Sequence, residues 1–106
     1  MRIRVSDVFQ TGGPGWVVKY WADIATTTAN TAVFVEITST FPLNADPVYV
    51  KQAAEAIQRG AETALSALGM GATIRVEELC IHDVDFLVSR FEKATAEQMS
   101  RALANT

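Results

Sequence analysis

A single cysteine, Cys80, is all the thiol chemistry in this 106-residue chain. That excludes an intrachain disulfide and a cysteine-built zinc site. Three prolines and six glycines are too few for a linker or a low-complexity tract, and no internal repeat is visible. No stretch approaches the roughly 20 apolar residues that cross a bilayer, so no membrane partner is expected. Positive charge is also scarce. Nine Lys and Arg against twelve Asp and Glu leave a net charge of −3. That balance excludes a generally cationic nucleic-acid binder, and DNA is not an expected partner, although a local basic patch survives it. The opening residues Met1–Asp7 place charges where a secretory leader needs its apolar core. With one cysteine and no leader pattern, a cytoplasmic protein is expected.

What is present is a core. Hydrophobic residues make up 49% of the chain and charged residues 20%, the balance of one packed domain over residues 1–106. Arg2 to Gln10 reads as a strand, and Thr11-Gly12-Gly13-Pro14-Gly15 must turn the chain. Trp16, Val18, Tyr20, Ala22 and Ile24 then alternate with Val17, Lys19, Trp21 and Asp23 at the strand period, so a hairpin is predicted. Ala25–Asn30 reads as a loop. In a third strand Val33, Val35 and Ile37 share one face, Phe34 and Glu36 the other.

The period changes after Pro42. Asp46 as N-cap and Pro47 at the first helical position predict a helix. Its inward face is Val50, Ala54, Ile57, Ala61, Ala64, Leu65 and Leu68, its outer face offers a Glu55–Arg59 pair, and Gly69 ends it. Thr73–Ile81 reads as a fourth strand whose parity slips at Glu77-Glu78, marking a bulge or an exit from the sheet. A second helix is predicted from about Val84 to Leu103, with Asp85 as N-cap. The fold class is therefore α+β, a two-layer βββαβα domain with a four-stranded sheet and both helices on one face. The uncovered face carries Trp21 and Phe34, an apolar patch suited to self-association as a homo-oligomer.

The run Val8-Phe9-Gln10-Thr11-Gly12-Gly13-Pro14-Gly15-Trp16-Val17-Val18 resembles the strand, Gly-Gly-x-Gly loop and strand that open domain IV of translation elongation factor G. Ile81-His82-Asp83-Val84-Asp85 is similar to that domain's His-x-Val-Asp segment. Phe91, Ala94 and the helical stretch Ala56-Ile57-Gln58-Arg59-Gly60 fall in matching order, so the resemblance covers almost the whole chain. It implies a left-handed β-α-β crossover of the ribosomal-protein-like superfamily, against the general right-handed rule. It also implies two loops at one tip that meet ribosomal RNA, formed here by Gly12, Gly13, Gly15 and Trp16, with His82 and Asp83. The departures are specific. No phosphate-binding loop occurs, so GTP hydrolysis is excluded. Pro14 stands where the family often has a basic residue, and Phe86-Leu87-Val88 replaces a polar helix start.

Other chemistries are weaker. Cys80 and His82 on a regular strand would point the same way, the minimal thiolate–imidazole geometry, but a free cysteine is usually a small buried hydrophobe. His82, Asp83 and Asp85 with Glu77 and Glu78 match no familiar metal-ligand spacing. Trp16, Tyr20 and Trp21 suit packing better than base stacking, since only Lys19 adjoins them. Arg2, Arg4 and Arg75 would form a basic stripe in a suitable register. The expectation is thus a non-catalytic interaction module without cofactor or metal, self-associating through the open sheet face. The alternative is ribosome or structured-RNA binding through the two tip loops.

Overall fold

Alternating side chains over Arg2–Phe9 (β1) and Trp16–Thr27 (β2) pair as the expected hairpin, Phe9 opposite Trp16 and Arg2 opposite Asp23. This is seen in a computed structural model, which describes residues 1–105. The remaining elements are β3 (Val33–Ile37), β4 (Thr40–Phe41), α1 (Pro47–Ser66), β5 (Gly71–Glu77), β6 (Leu79–Cys80) and α2 (Val88–Ala104). The main sheet has the order β1-β2-β5-β3. Its first two contacts are antiparallel, and β3 runs parallel to β5 across the α1 crossover. Parity sorts the faces. Val5 of β1, Val18, Tyr20, Ala22 and Ile24 of β2, and Ala72, Ile74 and Val76 of β5 are buried in one core with both helices. The α+β class, the four-stranded sheet and the single helical layer agree with the sequence reading.

Local signals explain most boundaries. The Asp46 carboxylate accepts the Val48 N–H at 2.9 Å and Pro47 opens α1, a cap worth about 1 kcal/mol. The apolar face is rotated slightly from the expected one. Ala53, Ala56, Ile57, Gly60, Ala61, Ala64 and Leu65 are buried, while Leu68 is exposed because the helix stops at Ser66. Arg59 does not pair with Glu55. It reaches Glu92 on α2 at 2.6 Å.

Two expectations change, and one open alternative is resolved. Ala25–Thr27 is strand rather than loop, since β2 continues pairing to Thr27 opposite Gly71. The slip at Glu77-Glu78 is an exit from the sheet: Glu78 adopts φ 54°, and β6 beyond it pairs in parallel with β4 as a separate two-stranded sheet. Asp85 is not the cap of α2, which starts at Val88 after Leu87 with no side-chain cap. The Asp85 carboxylate is occupied elsewhere, by Gln10.

The helices touch backbone to backbone at Gly60. A Cβ there would lie 2.5 Å from the Glu92 carbonyl oxygen, 2.8 Å from Thr95 Cβ and 3.0 Å from the Ala96 nitrogen. Beneath this contact Thr95 and the Tyr20 hydroxyl share a buried hydrogen bond, and burial pushes the phenol pKa upward. Alanine at position 60 gains about 1 kcal/mol of helix propensity but forces the helices apart, an overpacking cost of roughly 1–3 kcal/mol. Gly60→Ala is therefore expected to lower the urea midpoint. An unchanged or higher midpoint would show that α1 and α2 separate freely.

Candidate functional site

The two loops singled out in the sequence lie together at one end of the molecule. The Val17 N–H donates to the Asp85 carbonyl at 3.1 Å, and Gln10 Nε2 donates to the Asp85 carboxylate at 2.8 Å. Asp85 is thus the latch between the hairpin turn and the segment leading into α2. Gly13, Gly15, Trp16, Val84, Asp85 and Leu87 border a shallow hollow of ≈ 310 Å³. Gly15 is held to glycine by close approach, since a Cβ would overlap the Phe9 carbonyl. Gly12 sits at φ 75°, and both Gly12 and Gly13 face open space. His82 Nδ1 accepts the Asp85 N–H at 3.2 Å. Asp83 is exposed beside it. Phe86 anchors the segment by stacking on Tyr49 of α1 and leaning on Phe91 of α2.

Trp16 belongs to a second cluster beneath this tip, one that sequence reading missed. Its ring is stacked on Phe9 at 4.8 Å, and the Arg90 guanidinium lies over it at 4.1 Å. Its Nε1 donates to Asp7 at 3.0 Å, and Arg90 Nη2 donates to the other Asp7 oxygen at 2.7 Å. Partial burial works to raise the Asp7 pKa. Hydrogen bonds from Trp16 and Arg90, then the charges of Arg90 and Lys93, outweigh it and hold the carboxyl below its ordinary range. With Phe9 and Arg90 against it, this indole is built as a strut. Neither tip loop, residues 10–16 or 81–87, contains Lys or Arg.

The open face of the sheet carries the other candidates. Phe34 is 65% exposed. Trp21 is half-buried, with the Arg2 and Arg4 guanidinium groups 4.9 and 5.1 Å from its ring. The expected continuous apolar patch is therefore broken by charge. Arg2, Asp23, Arg75 and Glu36 stand opposite one another across all four strands. Arg2 bonds Asp23 and Glu77 at 3.1 and 3.0 Å, and Arg75 lies 4.0 Å from Glu36. The basic stripe foreseen for Arg2, Arg4 and Arg75 is instead a row of alternating sign.

A groove of ≈ 510 Å³ opens where β6 leaves the sheet, with Arg4, Lys19, Phe41 and Leu43 on its walls. Cys80 lines this groove, whereas His82 is engaged with Asp85, so the suspected pair serves two different surroundings. Among the described residues no group of three or more His, Cys, Asp or Glu is arranged to hold a metal ion, and no helix is long and apolar enough to cross a membrane.

No family model matches this chain, and no curated protein matches it. Among solved structures it is similar to the protein ttk003000868 from Thermus thermophilus, over 90% of this chain, with a TM-score of 0.58 and 22% sequence identity. The chain spans 14% of the length of that protein. The likeness is one of fold, between this chain and a domain-sized part of a larger one.

The Asp7 cluster sets an acid limit on stability. A carboxyl whose folded pKa is depressed contributes stability above its unfolded value and loses it as pH falls through the folded one. Asp7→Asn is expected to lower stability at neutral pH by roughly 1.5–3 kcal/mol, the scale of a charge-assisted hydrogen bond. The gap to wild type should close in strong acid. Urea melts across pH check this, and a gap independent of pH would refute it.

Proposed function

We propose that this chain is a non-catalytic interaction module with an elongation factor G domain IV-like arrangement, and that it self-associates through its open sheet face. The observation that carries the reading is the row Arg2–Asp23–Arg75–Glu36. A two-fold axis parallel to the strands reverses the row, so plus-minus-plus-minus lies over minus-plus-minus-plus. Arg2 then faces Glu36 of a second copy and Asp23 faces Arg75. Each exposed ion pair is worth little alone, but a complementary row fixes the register and excludes mismatched partners. Trp21 and Phe34, on the same face, add apolar area to the contact.

Ribosome or structured-RNA binding at the tip is the competing reading, and the charges there do not favour it. The tip loops hold Asp83 and Asp85 but no cation, and Arg90 beneath them is bound to Asp7. Binding to RNA falls steeply with salt because cations displace counterions, and such cations are what the tip lacks.

Light scattering on the purified chain decides the matter. A dimer mass is expected at low salt, with dissociation on adding salt and on Arg75→Glu, which sets like charges opposite each other. Trp21→Glu should act in the same direction. A mass that stays strictly monomeric at low salt ends the self-association reading.

A further inference from the structure

We propose that the groove walled by Arg4, Lys19, Phe41 and Leu43 binds an extended acidic segment of a partner protein. Carboxylates of the segment would meet the two cations, and an apolar side chain would lie against Phe41 and Leu43. This goes beyond self-association, because the groove's cations Arg4 and Lys19 lie beside the charged row and are not members of it.

Charge complementarity is the first argument. Arg4 pairs with Trp21 and Lys19 with Ser6 across β1 and β2, so the two cations are diagonal neighbours on one face, roughly 7–8 Å apart. Neither has a carboxylate within ion-pair reach among the described residues, whereas Arg2 and Arg75 on the same face do. Two adjacent like charges left unneutralised, in a chain whose net charge is −3, form a local attractor for anions. Glu78 also borders the groove, but its carboxylate forms no ion pair with either cation.

Apolar exposure is the second. Phe41 is 69% and Leu43 91% exposed, and both line the groove with the two cations. Large side chains held out beside a hollow are suited to receiving an apolar group. The groove's ≈ 510 Å³ lies within the roughly 300–1,000 Å³ of ligand-binding clefts. It exists because the chain leaves the sheet at Glu78, where a non-glycine residue holds φ 54° and its N–H is fixed by the Ser39 hydroxyl at 2.9 Å. Two cations beside one exposed Phe and one exposed Leu fit a short acidic-apolar peptide. A nucleic acid needs more phosphate contacts than two cations supply.

The test is fluorescence anisotropy with the whole chain and a fluorescein-labelled peptide, Asp-Leu-Asp-Glu-Phe-Asp. Saturable binding is expected, weakened by salt and lost when the acids are replaced by Asn and Gln. Lys19→Glu and, separately, Leu43→Ser should each weaken it roughly tenfold or more. Leu43 is almost fully exposed, so the second variant folds as wild type does, and a thermal melt confirms that. Arg75→Glu should keep full binding, which separates this proposal from self-association. Absence of binding, equal binding of the uncharged peptide, indifference to Lys19→Glu, or preference for a labelled RNA oligonucleotide would each overturn it.

Discussion

The backbone contact at Gly60 decides how the layers are arranged. With no side chain between them, α1 and α2 lie against each other through Glu92, Thr95 and Ala96, and the Arg59–Glu92 pair spans the seam. Two helices, each about 10 Å across with side chains, cover close to the width of four strands spaced about 4.8 Å apart. Nothing remains for the other side. The open face with its charges is thus a consequence of the helices' close approach, and so is its availability to a partner.

The same helical layer blocks one edge of the sheet at Ser6. The Gln98 amide on α2 takes the Ser6 N–H at 3.0 Å through Oε1 and gives Nε2 to the Ser6 carbonyl at 2.8 Å. It imitates a neighbouring strand, which is how natural sheets blunt an edge that would otherwise pair with another chain. With Ser6 occupied in this way, the proposed contacts fall to the side-chain chemistry of the face. In them the charged row would supply orientation, and the bare Arg4–Lys19 pair attraction.

Much of this architecture was legible because it rests on local rules. Parity placed Tyr20 and Ile24 inward and Trp21 outward, the Asp46-Pro47 pair announced α1, and the parity slip located the exit at Glu78. The failures share one cause, which is dependence on long-range partners. Asp85 looks like a cap from its neighbours, yet its carboxylate goes to Gln10, 75 residues away. Thr26 and Thr27 look like loop until β5 pairs with them. The charged row needs the hairpin register, and that is set by a turn from Gln10 to Gly15 whose geometry depends on Gly15 passing the Phe9 carbonyl. Once Phe9 is known to face Trp16, the β1–β2 part of each row can be counted from the sequence, while the β5 and β3 members rest on separate long-range pairings.

The two tryptophans show how the same contact serves different ends. Each has a guanidinium over its ring, a contact of about 0.5–1 kcal/mol where exposed. For Trp16 the guanidinium belongs to Arg90, whose charge is neutralised by Asp7 at 2.7 Å, and the ring's polar edge bonds the same carboxylate. Charge, carboxylate and ring are matched there, although Arg90 Nε stays buried without a hydrogen bond among the described residues, and the cluster braces the hairpin against α2. For Trp21 one of the two guanidinium groups is Arg4, which has no carboxylate partner among the described residues and faces the groove. The indole positions that cation without neutralising it, since a π-face has no net charge. The end of the molecule that the resemblance singles out has thus satisfied its cation internally, and the unsatisfied positive charge lies beside the place where β6 breaks from the sheet.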